Sequence, residues 1–155
     1  MGEVSIRFGK FNDLEDILRI AEDFHTYAEL DKWGLGFDRD LLANVIAHYL
    51  INTDSCCLLI AENDGQVVGT IAGTLVPWFM DLKQLNASES WWFVKPGHRG
   101  SAGTELLAKF EDWARMKGAK VLNVAGFYEK RIAALTRLYK RKGFNPLEMH
   151  FCKEL

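Results

Sequence analysis

A tight turn between two strand-like runs places the strongest constraint on the fold of this chain. The runs are CCLLIAE (56–62) and QVVGTIAGTLV (66–76), both rich in apolar and β-branched residues, and Asn63-Asp64-Gly65 joins them. Asp-Gly tolerates the positive φ angles of a short hairpin turn. We therefore expect a sheet that is antiparallel at least in part.

Strand and helix patterns alternate along the rest of the chain. Residues 24–37 are expected to form a loop or a frayed turn. The other predicted elements are strand 4–8, a helix from Asn12 or Asp13, a helix from Asp38 or Asp40, strand 89–94, helix 103–117 stopped by Gly118, strand 120–127, a helix ending at Gly143 and strand 147–155. The order β-α-α-β-β-β-α-β-α-β predicts an α/β fold of the mixed, α+β kind, with a central sheet. The strand-helix-strand passage around residues 103–117 predicts a parallel part with a right-handed crossover.

Composition excludes several classes of protein. The chain has 155 residues, of which 48% are hydrophobic and 26% charged, as in ordinary globular proteins, so a single domain over residues 1–155 is expected. No apolar run approaches the roughly 20 residues that span a bilayer, and the N-terminus lacks a signal-peptide pattern. A net charge of −2 argues against an extended nucleic-acid surface. Residues 140–142 are either a local basic patch or the solvated end of a helix.

The cysteines indicate a reducing environment. Cys56, Cys57 and Cys152 are odd in number and lack CxxC spacing. Neither a disulfide framework nor a zinc site is therefore predicted. A cytoplasmic protein without a bound metal is expected.

The stretch VKPGHRGSAGTELL (94–107) carries the clearest chemical signal. An apolar strand stops at a proline, and small residues lead into a helix; they are Gly97, Gly100, Ser101, Ala102 and Gly103. The first N–H groups of a helix have no intrahelical partner, and the helix dipole favours an anion such as phosphate there. A tight turn with Ser101 as N-cap is the alternative. The chain has neither a Walker loop nor GxGxxG, so those nucleotide sites are excluded.

Two stretches resemble the GNAT superfamily of acyl-CoA-dependent N-acyltransferases. FVKPGHRGSAGTELLAKFEDWARMKGAKVLNV (93–124) is similar to the family's strand, V-x-P, pyrophosphate loop and long helix. LYKRKGF (138–144) is similar to the family's LY-x-K-x-GF. The resemblance covers nearly the whole chain. It implies a GNAT-like central mixed sheet that is splayed between the fourth and fifth strands, and acetyl-CoA as co-substrate.

The resemblance also implies where acetyl-CoA binds. Its pyrophosphate would lie on the backbone amides of six residues, Arg99, Gly100, Ser101, Ala102, Gly103 and Thr104. Its pantetheine arm would pair, like an added strand, with the backbone of Trp92, Phe93 and Val94. Pro96 ends that strand because it has no N–H to donate.

The chain departs from the family pattern at two places. The usual Gln/Arg-x-x-Gly-x-Gly/Ala fits without a gap only from His98 to Gly103, which puts histidine first and Ser101 fourth. Ile132 stands where the family frequently has asparagine. These departures leave open a second interpretation, a GNAT-like module that binds CoA or a partner protein without turnover.

Acetyl transfer to an amine requires a neutral amine and a proton for the departing thiolate. The resemblance implies that Tyr139 is the general acid, although a packing aromatic is the alternative. Glu89 is the first candidate base, although a solvated strand-end glutamate is the alternative. Four further residues would border the acceptor site by resemblance: His25, Tyr27, Glu29 and Asp81.

The reaction is expected to be direct. Cys56 and Cys57 lie in an apolar strand and are predicted to be core residues, so transfer in a ternary complex without an acyl-enzyme is favoured. The acceptor is predicted to be a primary amine of a small molecule or a protein. A homodimer is compatible with the resemblance.

Overall fold

The predicted hairpin turn forms at Asp64 and Gly65, whose φ angles are 51° and 75°. It belongs to a five-stranded sheet in the computed structural model, which describes residues 3–127 and 131–155. The strands and helices are β1 (Val4–Phe8), α1 (Leu14–Ala28), α2 (Arg39–Ile51), β2 (Cys56–Asn63), β3 (Gln66–Trp78), β4 (Asp81–Val94), α3 (Ser101–Met116), β5 (Val121–Asn123) and α4 (Ile132–Arg141). The fold is mixed α/β, as predicted.

The sheet follows the chain order, β1-β2-β3-β4-β5. The first four strands are antiparallel, and β5 runs parallel to β4 after the crossover through α3. This is the mixed sheet that the sequence predicts. The parallel passage lies around α3, as expected for a strand-helix-strand unit.

The sheet opens between β4 and β5. Only residues 86–88 of β4 pair with β5, opposite residues 121–123. From Glu89 to Val94, β4 continues with β3 on one side and, among the described residues, no strand on the other. The predicted splay between the fourth and fifth strands is confirmed. We call this opening the β4–β5 gap.

The core has two layers, one on each face of the sheet. Gly73 of β3 permits the close approach of α3, because a Cβ at that position would lie 2.3 Å from the ring of Phe110. The α3 layer contains Leu106, Leu107, Phe110 and Trp113. The layer of α1 and α2 contains Ile17, Ile20, Ile46 and Tyr49. The sheet is thus held from both faces, and the gap lies at its β4 edge.

Helix ends agree with the predicted signals in most cases. Asp38 caps α2 by accepting a hydrogen bond from the N–H of Leu41 at 2.9 Å. Gly118 and Gly143 follow α3 and α4 with φ angles of 78° and 85°, which is the left-handed conformation that stops a helix. Asp13 precedes α1, but its carboxylate accepts one hydrogen bond from each terminal nitrogen of Arg7, both at 2.8 Å. Those bonds hold the pKa of the Asp13 carboxyl below its usual range and tie β1 to α1.

The predicted closing strand, residues 147–155, is wrong. The segment forms no strand, and Leu147, Met149 and Phe151 are 80%, 67% and 88% exposed. Alternating apolar residues indicate a strand only where a partner edge is available, and β5 offers three residues.

Several boundaries also differ from the predictions. Of the predicted strand 120–127, only Val121–Asn123 forms a strand, β5. β4 begins at Asp81 and not at residue 89, because its first half pairs with the long β3. α1 continues to Ala28, so the first five residues of the predicted loop 24–37 are helical. α3 begins at Ser101, two residues before the predicted start.

Candidate active site

The two predicted catalytic side chains meet at one backbone position beside the β4–β5 gap. Glu89 Oε2 accepts a hydrogen bond from the N–H of Ala125 at 3.0 Å. The hydroxyl of Tyr139 donates to the carbonyl oxygen of Ala125 at 2.6 Å. Glu89 comes from β4, Tyr139 from α4, and Ala125 from the segment after β5. Three elements therefore bring a carboxyl and a phenol to the same place.

The surroundings set the protonation of this pair. Burial raises the pKa of the Glu89 carboxyl to about 7, and the Ala125 N–H, which stabilises the carboxylate, offsets this only in part. Burial, and next the negative charge of Glu89, raise the pKa of the Tyr139 hydroxyl well above its ordinary value. Near neutral pH the Glu89 carboxyl is present in both its protonated and its ionised form, and the Tyr139 hydroxyl keeps its proton. The pair thus contains a group that can accept a proton and one that can donate.

A β-bulge in β4 decides which way Glu89 faces. Trp91 pairs with Ala72 and Glu89 with Gly73, so Ser90 is the extra residue. Ala87, before the bulge, packs in the α3 layer, whereas Trp91, after it, packs in the layer of α1 and α2. Without the bulge, alternation would put Glu89 on the same face as Trp91. With it, Glu89 faces the side on which Tyr139 packs.

Along the open edge of β4, two residues direct their backbone groups away from β3. The N–H of Lys95 donates to the carbonyl of Val68 on β3 at 2.9 Å. By alternation the backbone groups of Phe93 also point to β3, and those of Trp92 and Val94 point into the gap. Of the three residues predicted to pair with pantetheine, the structure thus places two with their backbone toward the gap.

The loop before α3 exposes backbone amides next to that edge. Ser101, Ala102 and Gly103 are the first residues of α3, whose N–H groups have no acceptor within the helix. The N–H of Thr104 is engaged, since it donates to the carbonyl of Gly100 at 3.1 Å. Gly100 has a φ angle of 108°, a conformation that favours glycine. Of the predicted amides at the start of α3, those of Ser101 and Gly103 are on residues that are not buried, whereas Ala102 is 0% exposed and the N–H of Thr104 is already bonded.

The side chain of Arg99 turns back from this loop. Its Nε donates to the carbonyl of Val94 at 3.1 Å. Its guanidinium carbon lies 4.6 Å from the ring centroid of Tyr27 and 5.7 Å from that of Phe93. These contacts join the loop to α1 and bring the predicted acceptor residue Tyr27 next to the open edge.

The other predicted acceptor residues are dispersed. His25 is buried, with Nε2 2.7 Å from the carbonyl oxygen of Leu35. Glu29 ends α1 in the left-handed region with a φ angle of 54°. Asp81 starts β4, eight residues before Glu89, which is roughly 25 Å along an extended strand. The structure brings Tyr27 to the open edge and separates Asp81 from Glu89.

Two contacts were missed by sequence reasoning. Ala125 acts through its backbone N–H and carbonyl, and its side chain carries no signal of that role. Ser90 bonds to Tyr49 of α2, with 2.6 Å between the two hydroxyl oxygens. Nothing in the local sequence predicts this pairing, since 41 residues separate the two partners.

Two cavities lie away from the β4–β5 gap. One of about 320 Å³ is lined by residues of α2, β2 and α3, including Tyr49 and Trp113. Another of about 280 Å³ is lined by residues around β5, including Val121 and Phe144. Neither is lined by Glu89 or Tyr139. The β4–β5 gap is an open slot in the sheet edge, which suits an extended ligand better than an enclosed one.

No group of three or more His, Cys, Asp or Glu side chains within residues 3–127 and 131–155 is arranged to hold a metal ion. In the same described part of the chain, no helix combines the length and apolar character needed to cross a membrane.

A sequence model of the acetyltransferase (GNAT) family matches residues 14–144. That range includes Glu89, Tyr139 and the loop before α3. Curated protein sequences give no match.

Similar solved structures cover nearly the whole chain. One is AAC(6')-Iy in complex with the bisubstrate analogue CoA-S-monomethyl-acetylneamine, with a TM-score of 0.77, 18% identity and 97% of each chain covered. Another is an aminoglycoside acetyltransferase from an uncultured soil metagenomic sample in complex with sisomicin (TM-score 0.72, 18% identity, 98% of this chain and 96% of that one). A third is a predicted acetyltransferase from Clostridium acetobutylicum with acetyl-CoA (TM-score 0.72, 17% identity, 96% of this chain and 94% of that one). At identities this low, the likeness to these structures shows the fold alone.

Proposed function

The chain belongs to the GNAT family of acetyltransferases, and on that premise we propose that it transfers the acetyl group of acetyl-CoA directly to a primary amine. The acceptor is an amine of a small molecule or of a protein, and residues 1–155 act as one domain. One observation carries the proposal. The carboxyl of Glu89 and the hydroxyl of Tyr139 converge on Ala125 beside the open edge of β4.

The described residues fit acetyl-CoA. The amides of Ser101 and Gly103 at the N-terminus of α3 suit a pyrophosphate, whereas Ala102 is buried. A Cβ at Gly97 or Gly100 would meet nothing within 4 Å, so the space above the loop is open. Along β4, the backbone of Trp92 and Val94 suits the amides of a pantetheine arm. Arg99 occupies one lone pair of the Val94 carbonyl and leaves the second available.

The chemistry needs one proton acceptor and one donor. Acetyl-CoA supplies an activated thioester. Glu89, in its ionised form, removes a proton from the attacking amine, directly or through a water molecule, while the new C–N bond forms. Tyr139 gives its proton to the thiolate as the C–S bond breaks, so that atoms and charges balance.

The two buried cysteines support direct transfer. Cys56 and Cys57 are 4% and 1% exposed. Burial raises the pKa of the Cys57 thiol to about 12, which keeps it protonated and a poor nucleophile. Neither thiol can take the acetyl group from a bound thioester at the surface.

Thermal unfolding with acetyl-CoA, followed by an assay of CoA thiol release with an amine panel, tests the proposal. The panel includes aminoglycosides, because a structural neighbour is an aminoglycoside acetyltransferase in complex with sisomicin. At 100 times the dissociation constant, acetyl-CoA should add about 2.7 kcal/mol of stability. Thiol release should appear only with an acceptor. A complete lack of release across small amines, aminoglycosides and peptides would count against the proposal.

A non-catalytic CoA-binding or partner-binding module is the second candidate. Ile132, which replaces the frequent asparagine, lies at the start of α4, where its Cδ1 would be 3.2 Å from a Cβ at Gly126. It therefore serves packing and offers no polar contact. Calorimetry that shows tight CoA binding without any transfer would favour this candidate.

We expect Gly103→Glu to weaken acetyl-CoA binding roughly 100-fold. A Cβ at this position would be 3.5 Å from the Trp92 ring, an ordinary contact, so the fold accommodates the side chain. A carboxylate in the first turn of a helix is also stabilised by the positive end of the helix dipole. The new carboxylate would stand about 6 Å from a phosphate bound there, and the repulsion between the two negative charges costs about 3 kcal/mol at an effective dielectric constant of 20. Calorimetry gives the dissociation constant, and thermal unfolding shows that stability is retained.

Lys109→Gln is the matched control for this variant. It changes the net charge by the same −1 on an exposed position of α3, further along the helix. Its dissociation constant should stay within twofold of the wild-type value. Equal affinity in all three proteins would show that the N-terminus of α3 does not bind the pyrophosphate.

A further inference from the structure

Tyr49 supports the bulge in β4 from the opposite face of the sheet. Its hydroxyl oxygen lies 2.6 Å from Ser90 Oγ, and its ring centroid lies 4.9 Å from that of Trp91. Ser90 is the extra residue of the bulge, and Trp91 follows it. Tyr49 therefore touches both residues at which the alternation of β4 is reversed.

The anchor of this contact is rigid. Tyr49 is 9% exposed and sits on α2 in the layer that contains Ile17, Ile46 and Phe93. A buried aromatic ring in such a layer has little freedom to turn. Burial also raises the pKa of its hydroxyl, so the group stays neutral over the physiological range. The position of the Ser90 side chain is thereby set by α2.

The bulge in turn sets the direction of Glu89. A shift of one residue in β4 would move the carboxyl from the face of Tyr139 to the face of Trp91. Bulges are local, and the ladder on either side would resume with little loss of pairing. A contact specific to the bulged residues is what favours one register over the other.

We propose that Tyr49 is a positioning residue that, through Ser90, holds the β4 bulge in the register that directs Glu89 toward Ala125 and Tyr139. The inference rests on the proposed function in one respect, since it takes Glu89 as the base. Tyr49 acts through its contacts with Ser90 and Trp91. It acts from α2, on the face of the sheet away from α3.

The test compares Tyr49→Phe and Ser90→Ala with the wild-type protein. Each removes one hydroxyl of the pair and keeps the surrounding packing. We expect about a tenfold loss of kcat with less than a twofold change in the KM for acetyl-CoA. The acidic limb of the pH profile should also move about one pH unit lower, because a Glu89 carboxyl that is no longer held beside Ala125 leaves the surroundings whose burial raises its pKa. The double variant should be no worse than either single one.

Among residues 3–127 and 131–155, few groups face Glu89, and they define what its pH profile reports. Tyr139 faces it from α4, the N–H of Ala125 from the segment after β5, and burial by the surrounding elements is the main cause of its raised pKa. Neither substitution changes the Tyr139 hydroxyl or the Ala125 N–H. A shift of the limb therefore reports the placement of Glu89.

Thr70→Val is the matched control. Thr70 lies in β3, is buried, and donates its hydroxyl to the carbonyl of Leu59 at 2.9 Å, so the substitution removes a hydrogen bond of similar kind away from the bulge. It should lower stability and leave the pH profile unchanged. If Tyr49→Phe and Ser90→Ala behave like Thr70→Val, the positioning role is overturned.

Hydrogen exchange at the Ala125 amide separates this inference from the proposed function. That amide donates a hydrogen bond to Glu89, so we expect it to be protected from exchange in the wild-type protein. Protection should fall in Tyr49→Phe and Ser90→Ala and persist in Thr70→Val. If the wild-type protein shows no acetyl transfer, the proposed function fails and this measurement alone decides. Equal protection in all the proteins would then overturn the inference.

Discussion

Replacing Glu89 with glutamine is expected to lower kcat about 1000-fold while making the folded protein more stable at alkaline pH. The loss of activity follows because the amide cannot accept a proton from the amine, and general bases contribute about 10²–10⁴-fold. The glutamine oxygen can still accept the Ala125 N–H, so the site keeps its shape. Steady-state thiol release at saturating acetyl-CoA and acceptor measures the effect.

The gain in stability follows from the direction of the pKa shift. Glu89 has a pKa of about 7 in the folded protein against an ordinary 4.5. As pH rises from 4.5 to 7, the unfolded chain releases this proton while the folded protein retains it. Unfolding is therefore favoured increasingly over that window, and the penalty is complete above pH 7. Between pH 5 and pH 9 the stability of Glu89→Gln relative to wild type should rise by roughly 2–3 kcal/mol.

Urea unfolding at pH 5 and at pH 9 measures this difference. Glu105→Gln serves as the control, since it makes the same chemical change at an exposed position of α3. Its stability difference from wild type should not depend on pH, and its kcat should be unchanged. A Glu89→Gln variant with normal turnover would exclude Glu89 as the base, and a pH-independent stability difference would show that its carboxyl is not buried.

Most of the helices, strands and turns that the sequence predicts correctly depend on signals from residues close together in the chain. Asp64 and Gly65 adopt the positive φ angles that their types favour, and Gly118 and Gly143 stop helices in the left-handed conformation. The apolar spacing of α3 likewise matches its buried face, which includes Leu106 and Phe110. Each of these features depends on residues a few positions apart, which is why the sequence alone is informative.

Features that depend on distant partners were not predictable. The segment 147–155 alternates like a strand, but no partner edge pairs with it among the described residues. The extra residue Ser90 was not expected, because a bulge arises from the pairing of two strands and from the contact with Tyr49 on another element.

The candidate site likewise contains residues that the sequence predicts and residues that it does not. Tyr139 and Glu89 were named from family motifs and strand position, and the structure brings both to Ala125. The backbone of Ala125 gave no signal, because any residue type supplies an N–H and a carbonyl. The acceptor residues depend on how loops meet, and Asp81 and Tyr27 lie at different parts of the molecule.

Replacing Tyr139 with phenylalanine should lower kcat by roughly 100-fold to 1000-fold, in the range of a lost general acid. The ring contacts of Tyr139 with Trp92 and Phe144 remain in the variant, so packing is retained. Only the hydroxyl is lost, and the Ala125 carbonyl loses its donor at a cost of about 1 kcal/mol. The dissociation constant of acetyl-CoA should stay within about threefold, since the site that we propose for its pyrophosphate is the N-terminus of α3.

Changing the leaving group of the acetyl donor tests the role of Tyr139 more directly than a second substitution would. A thiolate of low basicity departs without protonation, so an acetyl-CoA analogue whose thiol has a lower pKa should restore much of the activity of Tyr139→Phe and change the wild-type rate far less. Glu89→Gln should gain no comparable rescue, because its defect lies in activating the amine. Equal rescue of both variants would mean that Tyr139 does not protonate the thiolate, and full activity of Tyr139→Phe with acetyl-CoA itself would leave the phenol with a packing role alone. The two residues can thus be assigned to opposite ends of the transfer, one to the bond that forms and the other to the bond that breaks, although both are held by the same residue of the chain.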